Sequence, residues 1–459
     1  MSDTTAGLSK RALMSAGGAL AVSLIPELQA LAQSAKGQPR LLLGPMVGTP
    51  EPDRMTLWGL ASAGLPVVIE YADNPDFVGS KRNAAVAASA EDGFVVRPVL
   101  SGLRPSTRYW YRVAVDGRME GSRRPADTFR TAPAPGVREG FTLGFGSCAS
   151  YNVDPVQPIW NAIAERNPDL FVHLGDNIYA DAQEAFVFDF EYQRQRGLPN
   201  YRKLAANLPQ VAIWDDHDFG RNDHDRTNPV KDAALGAFKR YWANPAYGLA
   251  QTPGVFFRLS YGAVDFFCLD GRYHRDPNAA TTGVGKTILG AEQKAWLKQE
   301  LKASQAVFKV LACGSGWSMN KGPTGDGWSA FQHERTEIFD FIREEKIAGV
   351  VLISGDTHIA EFNCIPASQQ GGYDLFEFVS SPLANNPSYS WLKRSPDIRL
   401  RTPYTSGCNF GLLKFSFDGE PAVRADIVNP SGWEVWPTVE LKLGQLQNGV
   451  SSWERYKEA

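Results

Sequence analysis

A dense run of ionisable side chains directly follows an apolar stretch of the sequence. Asp215, Asp216, His217 and Asp218 are consecutive there, and such groups repel one another unless a cation or a basic partner offsets their charge. Carboxylates together with an imidazole favour a hard or borderline dication or trication. The run therefore predicts a metal site, and an ordinary solvated acidic turn is the alternative.

Other apolar stretches also end in groups that bind metals or phosphate. These ends carry Ser147-Cys148, Gly175-Asp176 followed by Tyr179 and Asp181, Leu269-Asp270-Gly271-Arg272, and Ser354-Gly355-Asp356-Thr357-His358. A single Asp after a strand is often only the N-cap of the next helix, so Asp176 by itself leaves both interpretations open. Thiolate and phenolate ligands beside the carboxylates would favour a redox-capable metal such as iron.

The segments that must position these residues have the pattern of an α/β domain. Short apolar runs consistent with core strands alternate with stretches 291–303 and 332–346, whose apolar residues have helical spacing. The predicted strands are residues 142–146, 170–174, 210–214, 263–269, 308–312 and 349–354. The pattern predicts an α/β sandwich with active-site loops at the strand ends.

Residues 40–132 predict a separate β domain. Short β-prone runs are separated there by Pro, Gly and Asp clusters, as in a β-sandwich. The segment Leu103–Tyr109 resembles the turn before strand F of a fibronectin type III domain, with Tyr109 as the corner tyrosine. Residues 131–136 then predict an interdomain linker.

The first residues have the pattern of an export signal. Lys10 and Arg11 precede an uncharged stretch from Ala12 to Pro26, and Ala30-Leu31-Ala32 offers a small-x-small cleavage site. We expect residues 1–32 to engage the Tat or Sec export machinery and to be removed after Ala32, which predicts a periplasmic or secreted protein. A cytosolic N-terminus is the alternative. No later segment reaches 18 apolar residues, so we expect no transmembrane segment in the mature protein.

The overall composition narrows the function classes. The 459 residues include 47 Lys and Arg against 50 Asp and Glu, a net charge of −3. This lack of a basic excess argues against stable nucleic-acid binding. The five cysteines are too few for a disulfide scaffold and odd in number, so at least one is unpaired within the chain.

Taken in order, the strand-end motifs resemble those of the calcineurin-like metallophosphoesterases, and within them the PhoD-type alkaline phosphatases. The set comprises a strand-end Cys, Gly-Asp-x-x-Tyr, Trp-Asp-Asp-His-Asp, Leu-Asp-x-Arg and Ser-Gly-Asp-x-His. The resemblance implies a four-layer αββα metallophosphoesterase sandwich over residues 137–445, with the N-terminal fibronectin III-like β-sandwich domain at 40–132.

The resemblance also implies two metals. Ferric iron would be bound by four residues: Cys148, Asp176, Tyr179 and His358. Asp176 would bridge to a second metal, calcium, held by Asp216, Asn222 and Asp356, with Zn²⁺, Mn²⁺ or Mg²⁺ as alternatives. Asp356 replaces a His of the wider superfamily, and this exchange of imidazole for carboxylate favours calcium.

The activity that the resemblance implies is hydrolysis of a small-molecule phosphate mono- or diester by in-line attack of a metal-bound hydroxide. His217 would contact the phosphoryl group and the leaving oxygen, and Arg272 would clamp the phosphate, since a guanidinium suits phosphoryl oxygens. Phospholipase D-like or phosphotriesterase activity at the same site is an alternative. A secreted, non-catalytic binding protein is another.

The remaining His and Cys residues have simpler interpretations. His173 lies within an apolar strand, which favours a core histidine over a metal ligand. Cys268 and Cys313 lie in buried-strand patterns and are expected to be inert. Cys364 and Cys408 either pair in an oxidising compartment or remain free thiols.

Overall fold

The computed structural model describes residues 40–120, 126–390, 392 and 397–458. The predicted export signal, residues 1–32, lies outside the described residues. Among the helices of the described part, none combines the length and the apolar character needed to cross a bilayer.

The N-terminal part consists of two antiparallel sheets. Its strands are β1 (Leu41–Pro50), β2 (Arg54–Ala61), β3 (Pro66–Ala72), β4 (Lys81–Arg82), β5 (Val86–Ala87), β6 (Val95–Val96), β7 (Val99–Ser101), β8 (Arg108–Val115), β9 (Arg118–Met119) and β10 (Asp127–Arg130). One sheet has the order β1-β2-β6, with β7 also on β2. The other has the order β10-β8-β3-β4, with β5 on β3 and β9 on β8.

Alternation of apolar residues along these strands builds a core of its own. Val47 and Leu57 from one sheet and Ile69 and Val113 from the other belong to one buried cluster, as expected when the inner faces of a sandwich interdigitate. The backbone N–H of Arg104 donates to Tyr109 Oη at 2.9 Å. This is the contact expected of a corner tyrosine, whose hydroxyl ties back to the chain a few residues upstream.

The larger part combines two mixed sheets with seven described helices. The helices are α1 (Ile159–Arg166), α2 (Ala185–Gly197), α3 (Pro199–Ala205), α4 (Asp216–Phe219), α5 (Lys231–Tyr241), α6 (Gly290–Ala303) and α7 (Gln332–Glu344). The strands are β11 (Phe141–Gly146), β12 (Leu170–Leu174), β13 (Gln210–Ile213), β14 (Gly248–Leu249), β15 (Thr252–Pro253), β16 (Phe257–Tyr261), β17 (Val264–Cys268), β18 (Phe308–Ala312), β19 (Val350–Ser354), β20 (Glu361–Ile365), β21 (Leu375–Val379), β22 (Ile398–Arg399), β23 (Phe410–Ser416), β24 (Ala422–Val428) and β25 (Val439–Lys442).

The two large sheets each carry a block of parallel strands. The first has the order β13-β12-β11-β23-β24-β25 and the second β16-β17-β18-β19-β21-β20-β22. Strands β11, β12 and β13 run parallel in the first sheet, and β17, β18 and β19 run parallel in the second. The carboxyl ends of each parallel block therefore lie at one edge of its sheet, which is where ligands bind in open α/β sheets.

Aromatic side chains join the two sheets face to face. The ring of Phe141 lies 4.4 Å from that of Tyr261 and 4.9 Å from that of Phe415, and Phe308 lies 5.6 Å from Phe415. On the other side of the first sheet, Trp160 of α1 packs against Phe171. These contacts agree with the αββα arrangement that the family resemblance implies.

The predicted core strands and the two predicted helices are present, with ends that differ by up to two residues. The apolar runs were informative because all five residues of β12, β17, β18 and β19 are buried, so each forms a continuous apolar segment. The antiparallel strands β23 to β25 were not predicted. In β24 and β25 exposed or half-buried polar residues interrupt the apolar ones, which is a weaker signal than a continuous run.

Candidate metal centre

The predicted site residues converge where the parallel strands of both sheets end. Cys148 and Asp176 follow β11 and β12, and the run from Asp215 follows β13. Asp356 and His358 follow β19 of the second sheet. Because the two sheets pack face to face, these loops meet at a common edge.

The backbone turns sharply at four of these residues. Cys148, Asp176, Asp356 and His358 have φ values of 63°, 50°, 68° and 56°, a left-handed conformation that non-glycine residues seldom adopt. Such strain persists only where surrounding contacts hold it, and it concentrates at functional sites. Each turn brings a side chain back toward the shared edge instead of along its strand.

The first cluster consists of Cys148, Asp176 and His358, whose potential ligand atoms all lie within 4.8 Å of one another. The Cys148 thiol donates to Asp176 Oδ2 at 3.3 Å, and Tyr179 Oη lies 3.4 Å from the same oxygen. Tyr179 Oη is also 3.1 Å from His358 Nε2. Thiol, phenol, carboxylate and imidazole therefore surround one point.

Burial makes the anionic forms of these groups costly. It raises the pKa of the Cys148 thiol to about 11 and raises the pKa of Tyr179 well above its usual range. A cation of high charge offsets that cost, since metal binding displaces protons from its ligands. The donor set therefore fits a strongly Lewis-acidic metal ion.

A second group of acids adjoins the first cluster. Asp215, Asp216 and Asp356 bring carboxylate oxygens within 4.8 Å of one another, and so do Asp176 and Asp216 with a ring nitrogen of His217. Asp176 thus belongs to both clusters, the position of a bridging carboxylate. Asp215 Oδ2 and Asp216 Oδ1 are buried and have no hydrogen-bond partner. Buried acceptors of this kind are costly, and a bound cation would satisfy them.

The pKa shifts of the acids also favour a bound cation. Burial raises the pKa of Asp215 to about 8, and the neighbouring Asp216 and Asp356 carboxylates add to the rise. Burial also raises the pKa of Asp176 well above its usual range. By contrast, Arg272 and His217 outweigh burial at Asp216 and lower its pKa. A bound cation would favour the ionised form of Asp215 and Asp176.

His217 stands at the solvent side of this edge as a held cation. Its Nδ1 lies 2.7 Å from Asp181 Oδ1, and its ring centroid lies 4.2 Å from that of Tyr179. Burial alone would lower the pKa of His217, but the carboxylates of Asp176 and Asp181 raise it to about 10. An imidazolium there can donate a proton to a leaving oxygen.

Two sequence models of known protein families match this chain. The sequence model described as "PhoD-like phosphatase" matches residues 143–198 and 188–404, and the one described as "PhoD-like phosphatase, N-terminal domain" matches residues 27–133. The chain belongs to the PhoD-like phosphatase family.

Known proteins resemble the chain in sequence or in fold. The chain is 25% identical over 378 residues to alkaline phosphatase D of Bacillus subtilis (strain 168), a match covering 69% of this chain but only 64% of the relative. A solved "Structure of PhoD" superposes with a TM-score of 0.70 at 21% identity, covering 90% of this chain and 94% of the other. Purple acid phosphatase PPD1 from seeds of yellow lupin (Lupinus luteus) gives a TM-score of 0.64 at 13% identity, covering 88% and 75%. The fold is that of the metallophosphoesterases.

The position of Arg272 differs from the one expected of a phosphate clamp. Its side chain is completely buried, with Nε on Asp215 and Nη1 3.0 Å from Asp326 Oδ1. Nη2 lies 3.7 Å from Asp216 Oδ1. The guanidinium is drawn beneath the acids because their charge needs compensation in the interior. In this member of the PhoD-like family, Arg272 is therefore a counter-ion below the site.

Asn222 also differs from its expected place. It is exposed, its amide donates to Asp223 Oδ1 at 2.9 Å, and it joins none of the metal-ligand groups found among the described residues. Asp223, which is exposed as well, is the neighbour that lies against the acids. Its N–H donates to Asp216 Oδ2 at 2.7 Å, and its carboxylate groups with those of Asp216 and Asp326.

Two further groups at the site were missed from the sequence, Lys321 and Asp326. Both lie in the loop after β18, where Lys321 Nζ contacts Asp356 Oδ2 and Asp326 pairs with Arg272 and Arg275. The available signal was position, since this loop follows a parallel strand of the second sheet. Its Gly-rich sequence, 314–327, obscured that signal by resembling an ordinary surface loop.

The structure also places His173 and the other four cysteines outside the metal centre. His173 is a core residue, 4% exposed and packed against Phe171 and Trp242. Cys268 and Cys313 are buried free thiols, as expected. Cys364 and Cys408 are also free, so the pairing alternative is wrong for this structure.

Proposed function

We propose that the protein is a metal-dependent phosphoric ester hydrolase that acts on phosphate monoesters or diesters. The observation that supports it best is Asp176, whose carboxylate belongs to both the thiol–imidazole cluster and the acidic cluster. A shared carboxylate would be suited to bind two cations, and a pair of cations would supply the charge that holds a phosphoryl group in two-metal hydrolases.

The donor types suggest which ions are held. Cys148, Tyr179 and His358 with Asp176 would hold ferric iron, because thiolate, phenolate and imidazole ligands suit that ion better than a hard dication. Asp215, Asp216 and Asp356 would hold calcium, which prefers oxygen ligands, with zinc, manganese or magnesium as alternatives. Two such ions supply Lewis acidity to the phosphoryl oxygens and to the attacking water.

The chain's own groups would do the rest of the chemistry. Asp181 accepts from His217 Nδ1 at 2.7 Å and so fixes the ring orientation. Nε2 is then the nitrogen free to give its proton to the departing alkoxide, and the imidazolium charge favours that developing anion. Arg272 holds Asp215 from below, which keeps the acidic cluster in place as the substrate binds.

The export pattern in residues 1–32 belongs to the same proposal. A hydrolase of extracellular phosphate esters would either fold around its metals before delivery by the Tat route, or fold and bind them after delivery by the Sec route, in the periplasm or beyond. Cleavage after Ala32 would leave the N-terminal β domain at the start of the mature chain.

Substitution of the bridging carboxylate tests the proposal. We expect Asp176→Asn to lose both metals and nearly all activity, because the amide carries no charge to hold two cations. Metal content is measured by mass spectrometry, and activity on mono- and bis-(p-nitrophenyl) phosphate is measured side by side. A visible charge-transfer band would identify ferric iron bound to thiolate or tyrosinate.

Asp340→Asn is the matched control, since Asp340 lies on α7 and its side chain is 43% exposed. It should keep wild-type metal content and turnover. Full iron content and normal turnover in Asp176→Asn would contradict the bridging role. Wild-type protein without metal and without either activity would contradict the hydrolase proposal itself.

A further inference from the structure

A lysine ammonium lies inside the acidic half of the site. Lys321 is 4% exposed and sits at the end of the 3₁₀ turn Met319–Lys321. Its Nζ contacts Asp356 Oδ2. An ammonium is costly to bury unless it is paired, so the acids compensate Lys321 as much as Lys321 compensates them.

The acids around this ammonium form two overlapping groups. One comprises Asp215, Asp216 and Asp356, and the other comprises Asp216, Asp223 and Asp326. Both groups meet at Asp216. The cations that already reach them come from three places in the chain: Arg272, Arg275 and Lys321.

The acids outnumber the cations by two. The five carboxylates of the two groups, when all are ionised, face the three cations Arg272, Arg275 and Lys321, so their sum is 3 − 5 = −2. One bound dication changes this sum to 0. Without Lys321 the same acids would carry −3, and a site loaded with one dication would keep a charge of −1.

We propose that Lys321 is a positioning residue that sets the charge of the second cation site. Its ammonium weakens the binding of a divalent cation there and leaves the loaded site neutral, where its absence would leave a negative charge that repels the anionic phosphoryl group. The inference rests on the proposed metal-dependent function. It adds that one side chain lowers the affinity for a divalent ion and raises the affinity for phosphate.

The two effects of Lys321 separate its proposed role from a purely structural one. Removing a positive charge should strengthen the binding of calcium and weaken the binding of phosphate. If Lys321 only held Asp356 in position, its removal would disorder the site and weaken both. The signs of the two changes therefore decide between the roles.

The experiment uses iron-loaded protein from which divalent ions have been removed with a chelator. Calcium is titrated in by calorimetry, and inorganic phosphate is then titrated into the calcium-loaded protein. For Lys321→Gln we expect calcium to bind about tenfold more tightly and phosphate about tenfold more weakly, each a change of about 1.4 kcal/mol. Lys321→Arg keeps the charge and should remain close to wild type in both titrations.

Lys309→Gln is the matched control. Lys309 is also buried, 8% exposed, but its Nζ donates to the carbonyls of Ala306 and Ala348, away from the acids. It should change neither affinity. Circular dichroism and thermal melting establish that each variant is folded before it is titrated.

Each other outcome counts against the proposal. Parallel weakening of calcium and phosphate in Lys321→Gln, or no change in either, would overturn the role of Lys321 while leaving the hydrolase function intact. Wild-type protein that binds no divalent ion at all would overturn both the second cation site and the inference built on it.

Discussion

Single residues in this structure show how charge and burial oppose each other. Cys148, Asp176 and Tyr179 are held close together although burial raises the pKa of each. His217 shows the reverse, because nearby carboxylates keep its pKa near 10 despite burial. The same fold therefore holds groups that favour protons beside a group that favours charge, a separation that suits acid–base chemistry.

His173 provides a test of burial without the complication of the site. Its ring is in the core, and burial lowers its pKa from 6.5 to about 3. Below about pH 6.5 the unfolded chain therefore binds a proton at His173 that the folded chain does not bind. The free energy of unfolding consequently decreases as the pH falls from about 6.5 toward 3. We expect His173 to lower the free energy of unfolding by about 1 kcal/mol when the pH is lowered from 7.5 to 5.5.

Chemical denaturation at the two pH values measures the effect. His173→Gln can keep the hydrogen bond to Gln210 Oε1, which is 2.8 Å from Nε2 in the wild type, but it cannot titrate. The variant should lose about 1 kcal/mol less than wild type on acidification. An equal loss in both proteins would show that His173 does not titrate as its burial implies.

At the scale of elements, the turns after the strands decide where the ligands point. Gly175 follows β12 directly and precedes Asp176, and its φ is +100°. A Cβ at this position would lie 2.6 Å from both the Cβ and the backbone N of Asp215. Only glycine allows the loop after β12 to pass so close to the loop after β13, and this contact brings the two acidic clusters together.

Gly175→Ala should therefore be destabilising in two ways. The left-handed backbone costs an alanine roughly 1–2 kcal/mol, and the collision with Asp215 adds to that cost. Gly371 has a similar φ of +85°, and a Cβ there would have nothing within 4 Å, so Gly371→Ala isolates the backbone effect. We expect Gly175→Ala to lose at least twice as much unfolding free energy as Gly371→Ala, together with calcium affinity. Equal losses would mean that the close approach is unimportant.

At the scale of the whole molecule, the N-terminal sandwich is docked firmly on the larger part. Trp58 is 1% exposed, and its Nε1 donates to the carbonyl of Arg240 at 2.8 Å. The guanidinium of Arg196, on α2, lies 5.1 Å from the ring of Trp58 and 4.3 Å from that of Trp242. This cation is thus buried between aromatic rings from both parts, an arrangement that stabilises a desolvated guanidinium.

Trp58→Ala should uncouple the two parts. The lost burial predicts a cost of about 3–5 kcal/mol, and most of it falls on the contact between the sandwich and α2. We expect calorimetry to resolve two unfolding transitions in the variant where the wild type has one. A single transition at an unchanged temperature would contradict a role for Trp58 in docking.

The amino-acid sequence determined the strands of the two parallel blocks and the chemistry at their ends. Continuous apolar runs are visible locally because fully buried strands need apolar residues on both faces. The acids, the thiol and the phenol that follow them are likewise visible as residue types. Their order along the chain carried the family resemblance, and it was this resemblance that grouped Cys148, Asp176, Tyr179 and His358 before their distances were known.

Tertiary structure alone decided the electrostatic environment of those ligands. Arg272 lies below the acids, Asp223 instead of Asn222 contacts Asp216, and Lys321 reaches Asp356 from a loop 35 residues away. No local pattern encodes these pairings, because each depends on how the two sheets bring distant loops to one edge. Burial there gives every unpaired charge a cost of several kcal/mol. The fold offsets that cost by pairing the acids with Arg272 and Lys321, and these pairings are visible only in the tertiary structure.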